Sequence, residues 1–155
     1  MDNLYTSATL TDLLSTVQGE NIIFTNGCFD LLHPGHIDYL TKAKALGDAL
    51  IVGLNSDQSV QSLKGSDRPI NSEVFRASML LALKPVDAVI IFEEDTPIQL
   101  LDQLKPSIHV KGGDYVAEEL PEYTTVKKNG GDIKILPFLD GFSSTKLIER
   151  IKAIR

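Results

Sequence analysis

Two histidines three residues apart, His33 and His36, bracket a Pro-Gly pair in the string TNGCFDLLHPGHIDYL. The chain has 155 residues and only three histidines. The run Asn21–Thr25 (NIIFT) just before them is apolar and β-branched, so the tetrad falls where a buried strand turns into a helix. Pro34 suits the first helical position, which needs no backbone donor. Gly35 lets a ligand approach the backbone closely. Free N–H groups and the positive end of the helix dipole favour an anion at such a turn. A spacing of three puts both imidazoles on one side of the helix, where both can donate to the same phosphate without holding a permanent charge. Zinc is the rival ligand, but helical metal pairs usually sit four apart and no third ligand cluster is evident.

Other candidates lie after other apolar runs. Gly141-Phe142-Ser143-Ser144-Thr145-Lys146 opens the last helix, with hydroxyls and N–H groups that either bind phosphate oxygens or simply cap the helix. Lys146 either reaches a phosphate or faces solvent. In Lys111-Gly112-Gly113-Asp114-Tyr115 the glycines admit a flat base or ribose, Asp114 can accept from hydroxyl or amino groups, and Tyr115 can pack on a ring. Asn55 and Asp57 can hydrogen-bond sugar hydroxyls or ribose. Asp30 can orient a histidine, bind substrate hydroxyls or contact magnesium indirectly. Lys44 reads as helix surface.

These residues need elements to position them. Five short apolar runs read as strands: Asn21–Thr25, Ala49–Leu54, Asp87–Phe92, Ser107–Val110 and Asp132–Leu136. Helical spacing covers Leu10–Val17, Pro34–Leu46, Asn71–Leu83 and Thr96–Leu104, and then runs from Ser143 or Ser144 to the C-terminus. The alternation predicts right-handed βαβ units and an α/β, Rossmann-like, doubly wound five-stranded parallel sheet with helices on both faces. Residues 1–20 read as an N-terminal helical extension and 21–151 as the core. Ligands of such sheets bind beyond the carboxyl ends of the strands, where strand order reverses. Lys64–Ile70 (KGSDRPI) is the first candidate for a mobile loop, and Gly112–Pro121 the second.

Length and composition narrow the options further. The length suits one domain, and 43% hydrophobic with 23% charged residues is ordinary for a globular chain. Fifteen basic against twenty-one acidic residues give a net charge of −6, and aromatics are only 6%. Both argue against nucleic-acid binding and against an anionic membrane surface. One cysteine excludes an internal disulfide and fits a cytoplasmic location. No apolar run approaches the roughly 20 residues of a membrane span, and the first residues, MDNLYTSATL, lack a signal-peptide pattern.

The string TNGCFDLLHPGHIDYL resembles the HxGH signature of the cytidylyltransferase-like nucleotidyltransferases, which join a phosphorylated substrate to the α-phosphate of a nucleoside triphosphate and release pyrophosphate. The resemblance continues through GLNSD (53–57), RPINSEVFRA (68–77), VKGGDY (110–115) and GFSSTKLIERI (141–151). It spans Asn21–Ile151, and within the family it is nearest the heptose 1-phosphate adenylyltransferases.

That resemblance implies one nucleotidyltransferase domain that transfers AMP from ATP to a heptose 1-phosphate. It implies His33, His36 and Lys64 as catalytic, with Lys64 on a basic loop covering the phosphates. The nucleotide would be bound by Asn26, Gly27, Cys28, Phe29, Gly35, Lys111, Gly112, Asp114, Gly141, Ser143, Ser144 and Thr145. Cys28 is there a small packing residue and not a nucleophile. Asp30, Asn55, Asp57 and Arg76 would bind substrate, although Arg76 can instead form a structural ion pair; Arg68 is a weaker cation candidate. Mg2+ would be held through the triphosphate and not by a protein cage. The KGGDY loop favours ATP over the alternative, CTP with glycerol 3-phosphate or another small phosphorylated alcohol. Leu83-Lys84-Pro85-Val86-Asp87 departs from the Arg-Tyr-Val-Asp pattern that the cytidylyltransferases carry at a dimer contact. A homodimer is expected all the same.

Overall fold

The computed structural model describes residues 1–155. Six strands form one parallel sheet: β1 (Leu4–Thr6), β2 (Ile22–Gly27), β3 (Ala49–Asn55), β4 (Ala88–Phe92), β5 (Ile108–Gly112) and β6 (Asp132–Leu136). Their spatial order is β1-β4-β3-β2-β5-β6. The chain steps from β2 through β3 to β4 in one direction, then crosses back to add β5 and β6 on the other side of β2. Strand order therefore reverses between β2 and β5, and a crevice opens at their carboxyl ends.

Seven α-helices accompany the strands: α1 (Leu10–Thr16), α2 (Pro34–Lys44), α3 (Asp57–Lys64), α4 (Glu73–Leu81), α5 (Ile98–Leu104), α6 (Tyr123–Lys128) and α7 (Ser144–Ala153). Successive strand residues point to opposite faces, and the core divides accordingly. Phe24, Ile51 and Ile90 pack with Leu13 of α1, Leu101 of α5 and Val126 of α6. Ile23, Leu50, Val52 and Val89 pack with Leu40 of α2 and Leu80 of α4. Both faces are covered, which is why the central strands read as unbroken apolar runs.

The sheet has six strands where five were expected. Leu4–Thr6, in a segment expected to be helical, pairs with Val89–Ile91 at the edge of β4. Three residues are too short for a periodic signal. The helices α3 and α6 were also not anticipated, and Lys64 closes α3 where a loop was expected. The segment that follows is tied down: Asp30 accepts from the backbone N–H groups of Ile70 and Asn71, each at 2.8 Å. The cap of α4 is Ser72, whose hydroxyl accepts from Phe75 N–H. Asn71, where the helix was expected to begin, lies before the cap and donates its side-chain amide to the Asp30 carbonyl at 2.8 Å.

Candidate active site

The turn between β2 and α2 is organised by its own histidines. His33 is the extended N-cap residue of α2 (φ −145°, ψ 168°), and its Nδ1 accepts from Gly35 N–H at 3.1 Å. His36, one turn on, accepts from His33 N–H through its Nδ1 at 3.3 Å. Each Nδ1 is thereby a lone-pair acceptor, so each ring carries its proton on Nε2. The rings stack with centroids 3.8 Å apart and planes 27° apart. Burial lowers both imidazoles below the ordinary histidine range; for His36 the neighbouring His33 and Lys64 add to it and bring it to about 4. Near neutral pH both rings are uncharged and offer Nε2–H as a donor.

Gly35 is required by this packing. A Cβ there would lie 2.8 Å from His33 Cε1 and 2.9 Å from its Nδ1. The space that a glycine was expected to leave for a phosphate is thus taken, at least on this side, by the His33 ring. Phe29 is held at φ +46°, an uncommon conformation for a bulky residue, and packs 5.2 Å from the His36 ring. Tyr39 of α2 fixes the helix across the switch point, donating to the Val110 carbonyl of β5 at 2.9 Å and bonding the Thr25 hydroxyl of β2.

A cavity of about 480 Å³ opens at this crevice. From the β2–α2 turn it is lined by Asn26, Gly27, Cys28, Phe29, Asp30, His33, Gly35 and His36. Lys64 lines it from the end of α3, and Lys111, Gly112 and Tyr115 from the exit of β5. Ser143, Ser144 and Thr145 bring the start of α7 to it. Ser143 caps α7 by accepting from Lys146 N–H at 3.1 Å, and the Ser144 hydroxyl donates to the Leu31 carbonyl at 3.3 Å. The N-terminal ends of α2 and α7 therefore meet at one cavity, both suited to an anion. Burial raises the Cys28 thiol despite the nearby cations Lys64, Arg76 and Arg68, so it stays protonated at neutral pH and is not a nucleophile by activation.

Several expected contacts lie elsewhere. Arg76 is 0% exposed and donates to the carbonyls of Asn71, Cys28 and Asn55 and to the Asp57 carboxylate, at 2.7–2.9 Å. It is a strut behind the cavity floor, because a buried guanidinium finds its acceptors at the ends of β2 and β3 and has no face left for substrate. Asn55 is buried and donates to the Ser59 hydroxyl, and Asp57 is occupied by Arg76, so neither reaches the cavity. Asp114 and Gly141 are exposed outside it; Gly141, at φ +89°, makes the turn that delivers Ser143. Lys44 pairs with Asp87 at 2.6 Å.

The Asp30 side chain is fully buried and pairs with Arg68 Nε at 2.8 Å. Burial would raise this carboxyl, but the N–H groups of Asn71 and Ile70, together with Arg68, outweigh it and hold it below the usual range. Its carboxylate pins the segment after α3. It is also the one carboxylate lining the cavity, and no three His, Cys, Asp or Glu side chains converge on a metal-holding site. The donor set does not fit a protein-held metal.

The apolar wall was missed. Phe138, 68% exposed, lies against Gly112 and Gly113, where an added Cβ would meet its ring at 2.7 and 2.9 Å, and Leu139 and Phe142 continue the rim. The string PFLDGF at the exit of β6 is its only trace in the sequence.

A doubly wound parallel sheet with an HxGH turn at its switch point, facing the start of a second helix, defines a Rossmann-like nucleotidyltransferase fold. The chain belongs to the cytidylyltransferase-like family, whose model matches residues 24–150. It is 54% identical over 138 residues to the bifunctional protein HldE of Haemophilus ducreyi and 51% identical over 135 residues to that of Geotalea uraniireducens. Those matches cover 89% and 87% of this chain but only 29% and 28% of the relatives, so the chain spans less than a third of their length. Among solved structures, the lipopolysaccharide core biosynthesis protein of Thermoplasma volcanium is similar, with TM-score 0.65 and 31% identity over 78% of this chain and 98% of that one. Pantothenate synthetase of Thermus thermophilus shares the fold, with TM-score 0.61 at 15% identity over 96% of this chain and 70% of that one. No helix is long and apolar enough to cross a membrane.

Proposed function

We propose that this chain is an adenylyltransferase that moves AMP from ATP to a heptose 1-phosphate, releasing pyrophosphate and ADP-heptose. The observation that carries the reading is the stacked His33–His36 pair, with two Nε2–H donors in one cavity. About half identity to HldE proteins, and likeness to a lipopolysaccharide core biosynthesis protein, support a sugar phosphate as acceptor.

In this reading an ionised oxygen of the sugar phosphate attacks the α-phosphorus in line. A P–O bond forms, the bond to the β-phosphate bridging oxygen breaks, and pyrophosphate departs with that electron pair. A phosphate monoester is already ionised near neutral pH, so no general base is needed. Such transfers are mostly positioning and neutralisation of charge. His33 and His36 donate to the oxygens where charge builds. Lys64 shields the departing phosphates, and the starts of α2 and α7, with Ser143, Ser144 and Thr145, hold them. Magnesium would enter on the triphosphate, carried by phosphates and water. A homodimer is part of the reading, supported by the shallow hollow that Leu32, Ile37 and Leu83 line beside the 83–87 segment.

Pyrophosphate release with ATP and with CTP, each against sugar 1-phosphates and glycerol 3-phosphate, tests the assignment. Turnover with ATP and a heptose 1-phosphate is expected. A preference for CTP and glycerol 3-phosphate would overturn it.

A further inference from the structure

Glu122 sits at the N-cap of α6, outside the cavity, yet its carboxylate touches a residue that lines it. The side chain is only 4% exposed, and Oε1 lies 3.2 Å from both Lys111 Nζ and His109 Nε2. His109 and Lys111 are two apart on β5 and so project from the same face of the sheet, the one that α6 covers. His109 is fully buried against Phe24, with ring centroids 5.5 Å apart, and its Nδ1 has no hydrogen-bond partner. The bond to Glu122 is therefore the one polar contact this imidazole makes. A buried carboxylate is costly to desolvate and persists only when paired. Here burial would raise it, but His109 and Lys111 bring it down to about 2, so it stays ionised.

The Lys111 ammonium is held beside the Glu122 carboxylate as an ion pair at 3.2 Å while it also lines the cavity. The side chain is 21% exposed, and Nζ lies 5.7 Å from the Tyr115 ring centroid. Without the carboxylate, a flexible four-carbon stem would be free to leave the wall. We propose that Glu122 is a positioning residue for nucleotide binding: anchored by His109, it holds the Lys111 ammonium in the cavity wall against the nucleoside triphosphate. This rests on the reading that the cavity takes a nucleoside triphosphate.

The test uses the whole chain with ATP and magnesium chloride, by titration calorimetry and by initial rates of pyrophosphate release. Glu122→Gln keeps a carbonyl oxygen where Oε1 meets both His109 and Lys111 but removes the negative charge that holds the ammonium. It should weaken ATP binding about 10-fold, the scale of one hydrogen bond to a charged group. KM for ATP should rise in step while kcat changes less than about 3-fold. Lys111→Met should show the same loss, and the double variant should lose no more than either single one. Wild-type affinity in Glu122→Gln, or losses that multiply in the double variant, would overturn the inference alone. Absence of ATP binding by the wild type would overturn the underlying reading and this inference with it. If Glu122→Gln does not fold, Glu122→Asp, with charge kept and reach shortened, should lose part of the affinity, and full affinity there would overturn the proposal.

Discussion

His36 Nδ1 accepts the backbone N–H of His33, and the two rings stack 3.8 Å apart. The same contacts that cap α2 thus select the Nε2–H tautomer of both rings and aim two uncharged donors into one cavity. Helix capping and the disposition of the reactive groups are one piece of geometry.

Gly35→Ala should damage both together. The added Cβ would sit 2.8 Å from His33 Cε1, so the ring must move. Overpacking of this kind costs about 1–3 kcal/mol. Urea unfolding should show that loss, and pyrophosphate release should fall by at least about 10-fold, since the donor leaves its place.

Arg76→Met should act on stability before chemistry. It strands the carbonyls of Asn71, Cys28 and Asn55 and the Asp57 carboxylate, all now satisfied by one guanidinium. Breaking a buried charged network in this way costs about 3–5 kcal/mol. Chemical denaturation should show an unfolding free energy lower by that amount, and ATP affinity measured well below the transition should be retained.

Acid should weaken the fold in two windows of the same sign. His36 is held at about 4, below its ordinary 6.5, so between these values the unfolded chain binds more protons and stability falls as pH falls. Glu122 is held at about 2 against 4.5, so it adds a second loss below pH 4.5, again because the unfolded state binds more protons. Melting temperature should decline from pH 6.5 downward, and His36→Gln should shrink the upper part of that slope, leaving the share of the buried His33 there and the whole of the lower part.

Lys64→Ala should lower kcat about 10- to 100-fold with a smaller effect on ATP affinity, if its charge is used chiefly as pyrophosphate departs. Single-turnover kinetics beside calorimetric affinity separate the two effects.

What could be read from the residues followed distance along the chain. His33 and His36 were legible because strand, Pro, Gly and both rings lie within one continuous segment. Lys64 ends a helix and not the expected loop, because DQSVQSLK is polar and buries only Ser59 and Val60, too little for a periodic apolar signal. Arg76 reads from sequence either as a substrate contact or as a structural ion pair, since no local pattern shows that three of its four acceptors come from distant segments. Asp30 was placed at the site, but its role depends on Arg68, Ile70 and Asn71, some forty residues away. Phe138 escaped because an aromatic residue beside a strand reads as core, whereas tertiary structure leaves it exposed on the rim. Glu122 gave no signal, because its partners approach only when β5 and α6 pack.

The most direct test of the account is kcat for pyrophosphate release by His36→Ala, with melting temperature measured alongside. A folded variant should lose at least about 100-fold, as expected when one donor to developing phosphate charge is deleted. Turnover near that of the wild type in a folded His36→Ala protein would contradict the account.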